Sequence, residues 1–288
     1  MFGASRDQDS ICYPGTIIFF NSYGPSGPHD HLSISPCMRV IKLILLYIWT
    51  TWCILVFIVL CLILFPVLVL AVLSGSERII RLAHYAPTRL ARVALCLWGI
   101  RLEIRGQHLI DPDGQYVYVS NHRSLLDAVI AGAAIPNYLK FLGKAEMLQW
   151  PVLGYLLTKF YVPVQRQDAA DRARSMQIME EKIRTGCSFF ICPESTCNTT
   201  PQLLTRFYNG AFRLSADTGV PLVPLTFVGS GDRWPRGQVM IHPGRLVVYW
   251  HEPIPAANFQ GDKLAEGRER VEAIIRADLL HHYPAGHY

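Results

Sequence analysis

Charge is what this chain of 288 residues has little of: Asp, Glu, Lys and Arg make up 17% of it and hydrophobic residues 51%. The shortage is concentrated. Residues 43–76 contain no charged side chain and no histidine. As a helix that stretch would be about 51 Å long, whereas a bilayer core needs only about 20 residues. Such a run argues against an ordinary core helix. A secretory signal is not expected either, because its apolar region is shorter and ends in a small-residue cleavage site. It predicts one tilted membrane span, or two legs breaking near Pro66. Arg39 and Lys42 precede it, and Arg78, Arg81, Arg89 and Arg92 follow. Cations on both sides fit a hairpin with both ends in the cytoplasm, or a single span with the denser cluster inside. Both predict a cytoplasmic domain after Arg78. The net charge of +5 suits anionic headgroups, so the bilayer is the expected partner. The charges are too dispersed for a nucleic-acid surface.

Other absences narrow the chemistry. The eight cysteines are scattered, with Cys53 and Cys61 inside the apolar run, which excludes a secreted disulfide framework. Cys192 and Cys197 are spaced too widely for a zinc knuckle and no second ligand pair follows, so no metal is expected. No Gly-x-Ser-x-Gly elbow occurs, which argues against a hydrolase using Ser195, Cys192 or Cys197 as nucleophile with His122. There is no internal repeat and no low-complexity tract.

Residues 1–37 are rich in Gly, Pro, Ser and Asn and read as a flexible tail, with Met38 as the expected natural start. Residues 38–76 form the membrane segment and residues 77–288 the main domain. Within that domain, 77–98 reads as an amphipathic helix that Pro87 breaks or kinks. Strands are expected at 101–105, 116–119, 140–143, 160–164, 188–191, 221–228, 239–242 and 245–250. Helices are expected at 125–134, 150–159, 168–184, 210–218 and 262–280. The alternation predicts an α/β fold, a single domain with a central mixed, largely parallel sheet flanked by helices.

Two polar clusters each follow an apolar run. The first is Asn121-His122-Arg123-Ser124-Leu125-Leu126-Asp127. On one straight helix His122 and Asp127 would sit about 140° apart. They meet if His122 lies in the turn before the helix and Asp127 in its second turn, with Ser120 or Asn121 as cap. Asp127 would then fix the imidazole tautomer and leave the other ring nitrogen as a general base. The alternative is a surface histidine beside an unrelated aspartate. The second cluster is Pro193-Glu194-Ser195-Thr196, whose carboxylate and hydroxyls suit a polar headgroup or a substrate alcohol. Its alternative is a capped turn.

Together these blocks resemble the glycerolipid acyltransferase family, in its 1-acylglycerol-3-phosphate acyltransferase branch. The resemblance rests on Asn-His-x-x-x-x-Asp at residues 121–127 and on Gly154 and Arg166. It also rests on Pro193 to Cys197 against Pro-Glu-Gly-Thr-Arg, and on the apolar segment 220–224 ending in Pro224. Lys144-Ala145-Glu146 and Asn209-Gly210-Ala211-Phe212 fall where such enzymes carry similar residues. It covers residues 77–255. It implies catalysis by His122, Asp127 and Glu194, with substrate held by Asn121, Lys144, Arg166, Ser195, Thr196 and Arg206. It implies transfer of a fatty acyl group from an acyl-coenzyme A or acyl carrier protein thioester to a lysolipid hydroxyl, with no other cofactor. The implied product is phosphatidic acid, made from 1-acylglycerol 3-phosphate. Ser195 replaces the family's Gly, and Cys197 its Arg, which is implicated in holding the acceptor phosphate. Another lysolipid acceptor, or a lipid-binding protein with a decayed site, is therefore the alternative.

Overall fold

A computed structural model describes residues 36–144, 161–165 and 168–286. The chain opens with α1 (Pro36–Leu73), which runs unbroken through Pro66. It is one helix and not a hairpin. Its large apolar side chains are bare along most of its length, and it is long and apolar enough to cross a membrane. One stripe is nevertheless packed: Thr50, Cys53 and Val56, three residues apart, are buried. Trp98 Nε1 donates to the Cys53 carbonyl at 2.9 Å and Trp52 Nε1 to that of Leu97 at 3.1 Å.

The expected 77–98 helix is two helices, α2 (Glu77–Ala83) and α3 (Tyr85–Leu97). The break expected of Pro87 is present, three residues upstream of it. Pro87 sits in the first turn of α3, where its missing N–H goes unnoticed, and the break falls at His84, next to the residue whose carbonyl its ring would strike.

The rest of the chain is β1 (Ile100–Arg105), β2 (Val117–Ser120), α4 (Leu126–Ala134), β3 (Leu139–Lys144) and β4 (Tyr161–Val164). Then come α5 (Ala169–Arg184), β5 (Ser188–Ile191), α6 (Gly210–Thr218), β6 (Leu222–Val228), the short α7 (Ser230–Arg233), β7 (Gly244–Trp250) and α8 (Lys263–His282). Their ends follow local chemistry. The Asp168 carboxylate accepts from Ala170 N at 2.8 Å and caps α5; Gly219, in the left-handed region, stops α6. The expected helix at 150–159 lies outside the described residues. The expected strand at 239–242 does not form: Ile241 N donates to Thr50 Oγ1 of α1 at 3.2 Å and His242 N to the Arg233 carbonyl at 2.7 Å. With the Ile241 and His242 N–H groups spent on two helices, this apolar segment joins no ladder.

The sheet order is β1-β7-β6-β2-β5-β3-β4. Neighbours among β6, β2, β5, β3 and β4 run parallel, whereas β7 pairs antiparallel with β6 and parallel with β1. The mixed, largely parallel sheet is as expected. The central β2 and β5 are buried at every position, as strands covered on both faces must be. Asn121 prolongs this centre. Ser120 pairs with Leu225, and one residue on the Asn121 amide takes over, donating to the Phe227 carbonyl at 2.9 Å and accepting from Phe227 N at 2.8 Å. Asn121→Ala strips a buried N–H and a buried carbonyl of partners. We expect a loss of about 2–3 kcal/mol and a melting temperature lower by roughly 5–10 °C; a thermal transition within a degree of wild type would mean that the β2–β6 ladder does not need the amide.

Candidate active site

β2 and β5 are parallel neighbours, with Val119 opposite Ile191. Their carboxyl ends therefore lie side by side, and the two polar clusters leave the sheet together, the place where open α/β sheets receive ligands. His122 Nδ1 lies 2.8 Å from Asp127 Oδ2. The same oxygen accepts from Arg123 N at 2.8 Å and Ser124 N at 2.9 Å. His122 does precede the helix, but Asp127 stands in the first turn of α4, not the second. A carboxylate there also gains from the helix dipole. Neither Ser120 nor Asn121 caps α4. Ser124 does so, its hydroxyl taking Leu126 N at 3.1 Å. Asp127 is fully buried while the His122 side chain keeps a fifth of its surface. With Nδ1 engaged, Nε2 is the ring nitrogen left to a substrate.

The second cluster is fastened to the first. Glu194 Oε1 accepts from His122 N at 2.7 Å, and Oε2 accepts from Thr205 N at 2.8 Å and Thr205 Oγ1 at 2.7 Å. Asn198 N donates to the His122 carbonyl at 2.7 Å. Burial pushes the Glu194 carboxyl above its ordinary value, and the Thr205 and His122 donors pull it back. Glu194 does not line the cavity beside His122, and neither does Asn121. Glu194 was expected to be catalytic and Asn121 to hold substrate; the Asn121 amide is bonded to the Phe227 backbone, and the Glu194 carboxylate to two backbone N–H groups and the Thr205 hydroxyl. Ser195 is the one described non-glycine residue at positive φ, 64°. A conformation that favours glycine is thus retained where the resembled pattern has glycine.

The cavity measures about 1770 Å³. His122, Asp127, Ser195, Thr196 and Cys197 line one end. α1 supplies part of its wall through Phe57, Leu60, Leu64 and Leu68, a helical stripe, and α3 and α4 contribute Ala91 and Val129. Arg206 does not line it and lies over the Tyr208 ring at 5.8 Å. Arg166, Gly154 and the side chain of Lys144 lie outside the described residues. The Ser195 hydroxyl makes no hydrogen bond to His122 among the described residues. Burial, followed by the Asp127 charge, pushes the Cys197 thiol up to about 11, which leaves little thiolate to act as nucleophile. Thr205, Asn198 and Ser124 were not anticipated from sequence. Only Ser124, between His122 and Asp127, offered a local signal, that of a cap.

Residues 101–228 match the family model described as Acyltransferase. The chain is 34% identical over 157 residues to 1-acyl-sn-glycerol-3-phosphate acyltransferase BAT2, chloroplastic, of Brassica napus, covering 54% of this chain and 45% of that one. It is 27% identical over 212 residues to 1-acyl-sn-glycerol-3-phosphate acyltransferase alpha of Ovis aries, covering 71% and 73%. The chain spans about half the length of the chloroplastic and algal relatives it matches. Among solved structures, the 1-acyl-sn-glycerophosphate (LPA) acyltransferase PlsC from Thermotoga maritima superposes with a TM-score of 0.68 at 22% identity, over 85% of this chain and 98% of that one. That last likeness is one of fold. The matched segment runs from β1 to the end of β6 and encloses both clusters, so the similarity to the Acyltransferase family lies where the candidate site is built.

Proposed function

We propose that the chain transfers a fatty acyl group from an acyl thioester, of coenzyme A or acyl carrier protein, to the free hydroxyl of 1-acylglycerol 3-phosphate, giving phosphatidic acid. The observation that carries this is the 2.8 Å His122–Asp127 pair at the end of a cavity walled by apolar side chains. The names of the relatives support the acceptor.

His122 Nε2 removes the proton from the acceptor hydroxyl as that oxygen attacks the thioester carbonyl. The carbon–sulfur bond breaks, and the departing thiolate takes the proton back from the imidazolium. Asp127 keeps the proton on Nδ1 and balances the charge that forms on the ring. No acyl-enzyme is needed, because the acceptor oxygen is itself the nucleophile. Glu194 acts as a positioning residue, holding the His122 backbone. Ser195 and Thr196 face the substrate. General-base help is worth about 10²–10⁴-fold; the remainder comes from holding two lipids together, where effective molarity contributes about 7–11 kcal/mol. A cavity wall built partly from α1 favours that arrangement, since the helix presents one face to the acyl chain and the opposite face to lipid. The cations that follow α1 favour a cytoplasmic domain.

His122→Ala should lower turnover by about 10²–10⁴-fold with an unchanged melting temperature; turnover near wild type would refute the base. Asp127→Asn keeps an acceptor for the two backbone N–H groups but favours the wrong tautomer, and we expect a loss of at least about 10²-fold in kcat. Glu194→Gln sets an amide N–H against one of the three donors, so stability should drop by about 1–3 kcal/mol; a variant as stable as wild type would show that these donors do not need a carboxylate. Ser195→Ala should keep most activity, and its inactivity would favour a covalent hydrolase. The decisive assay is purified protein with labelled acyl donor and a panel of lysolipids, the product being identified by mass.

A further inference from the structure

The resembled pattern has an arginine where this chain has Cys197, a buried, uncharged thiol at the His122 end of the cavity. A phosphate-headed acceptor needs a cation there. One reaches the same place from a different part of the chain. Between α7 and β7, Pro235-Arg236-Gly237-Gln238 forms a tight turn: Gln238 N donates to the Pro235 carbonyl at 3.1 Å, and Gly237 sits at φ 83°. That is the type II pattern, in which the third residue must be left-handed and the second projects outward. Arg236 occupies the projecting position.

The turn is braced against the catalytic loop. Ser124 Oγ, two residues beyond His122, donates to the Trp234 carbonyl at 2.6 Å, and Trp234 Nε1 closes the turn on the Gln238 carbonyl at 3.0 Å. Arg236 lines the cavity together with His122, Asp127 and Cys197, and its guanidinium interacts with the Cys197 side chain. Arg172 and Arg213 also line the cavity, but from α5 and α6; neither belongs to a segment tied to the His122 loop. The Arg123 charge also acts on Cys197, but Arg123 does not line the cavity and its Nη1 donates to the Thr200 carbonyl at 2.6 Å.

We propose that Arg236 binds the phosphate of the acceptor and so sets acceptor specificity, supplying from the turn after α7 the fork of N–H donors that Cys197 lacks. This rests on the reading that the acceptor is a phosphate-headed lysolipid. The side chain is exposed, so replacing it disturbs no buried packing.

The test is steady-state kinetics of the full chain in detergent, with acyl-coenzyme A and 1-acylglycerol 3-phosphate varied in turn, for wild type, Arg236→Ala and Arg236→Lys. The expected result for Arg236→Ala is an acceptor KM raised roughly 10–100-fold, the range that charged hydrogen bonds support. Its kcat and donor KM should change by less than about threefold, a shift too small to amount to one charged contact. Arg236→Lys, a charge without the fork, should fall between. Unchanged acceptor KM in Arg236→Ala would overturn the proposal and leave the acyltransferase reading standing. A rise in donor KM alone would assign Arg236 to the thioester carrier and overturn it also. A fall in kcat with both KM values unchanged would make the residue structural and overturn the proposal. A wild-type enzyme that acylates only phosphate-free lysolipids would defeat both the reading and the proposal.

Discussion

One carboxylate oxygen organises this molecule's chemistry. Asp127 Oδ2 receives a ring nitrogen and two backbone N–H groups within 2.9 Å, while Oδ1 has no partner among the described residues. A buried carboxylate is tolerable only where donors and dipoles replace water. Here the backbone of residues 123 and 124 and the start of α4 do so. The two backbone bonds fix the loop, and the loop fixes the imidazole, so the His122 side chain has little freedom left to lose on binding substrate. Separating the pair would leave a buried charge with its ring partner missing, and the loop and the base would be disturbed together.

The second cluster serves the first more than it serves substrate. Glu194 spans two loops, taking one N–H from the histidine and a donor pair from Thr205, and Asn198 N returns a bond to the His122 carbonyl. All of these groups leave the carboxyl ends of β2 and β5. The parallel pairing of two short buried strands is therefore what converts two distant stretches of sequence into one site.

Much of this was legible in the residues, and the division follows the range of the interactions. Apolar runs bounded by turns marked the strands, an acidic start and a glycine stop marked α5, and a glycine stop marked α6, because those signals lie within a few residues of each other. Helical angles gave only the condition under which His122 and Asp127 could meet, with the histidine ahead of the helix. What escaped was long-range. Asn121 reads as a binding residue until its amide is seen on Phe227, over a hundred positions away. Residues 239–242 read as a short apolar strand, but Ile241 and His242 give their N–H groups to α1 and to Arg233. The turn carrying Arg236 shows Pro and Gly in sequence, yet nothing local indicates that Ser124 anchors it.

The first helix carries a further consequence. Phe57, Leu60, Leu64 and Leu68 belong both to the membrane-length helix and to the wall of the reaction chamber. The helix long enough to cross a membrane and the candidate site therefore share a single structural part. Removing the helix would take away part of the wall of the cavity that His122 and Asp127 also line, so the apolar segment and the candidate site cannot be altered independently in this protein.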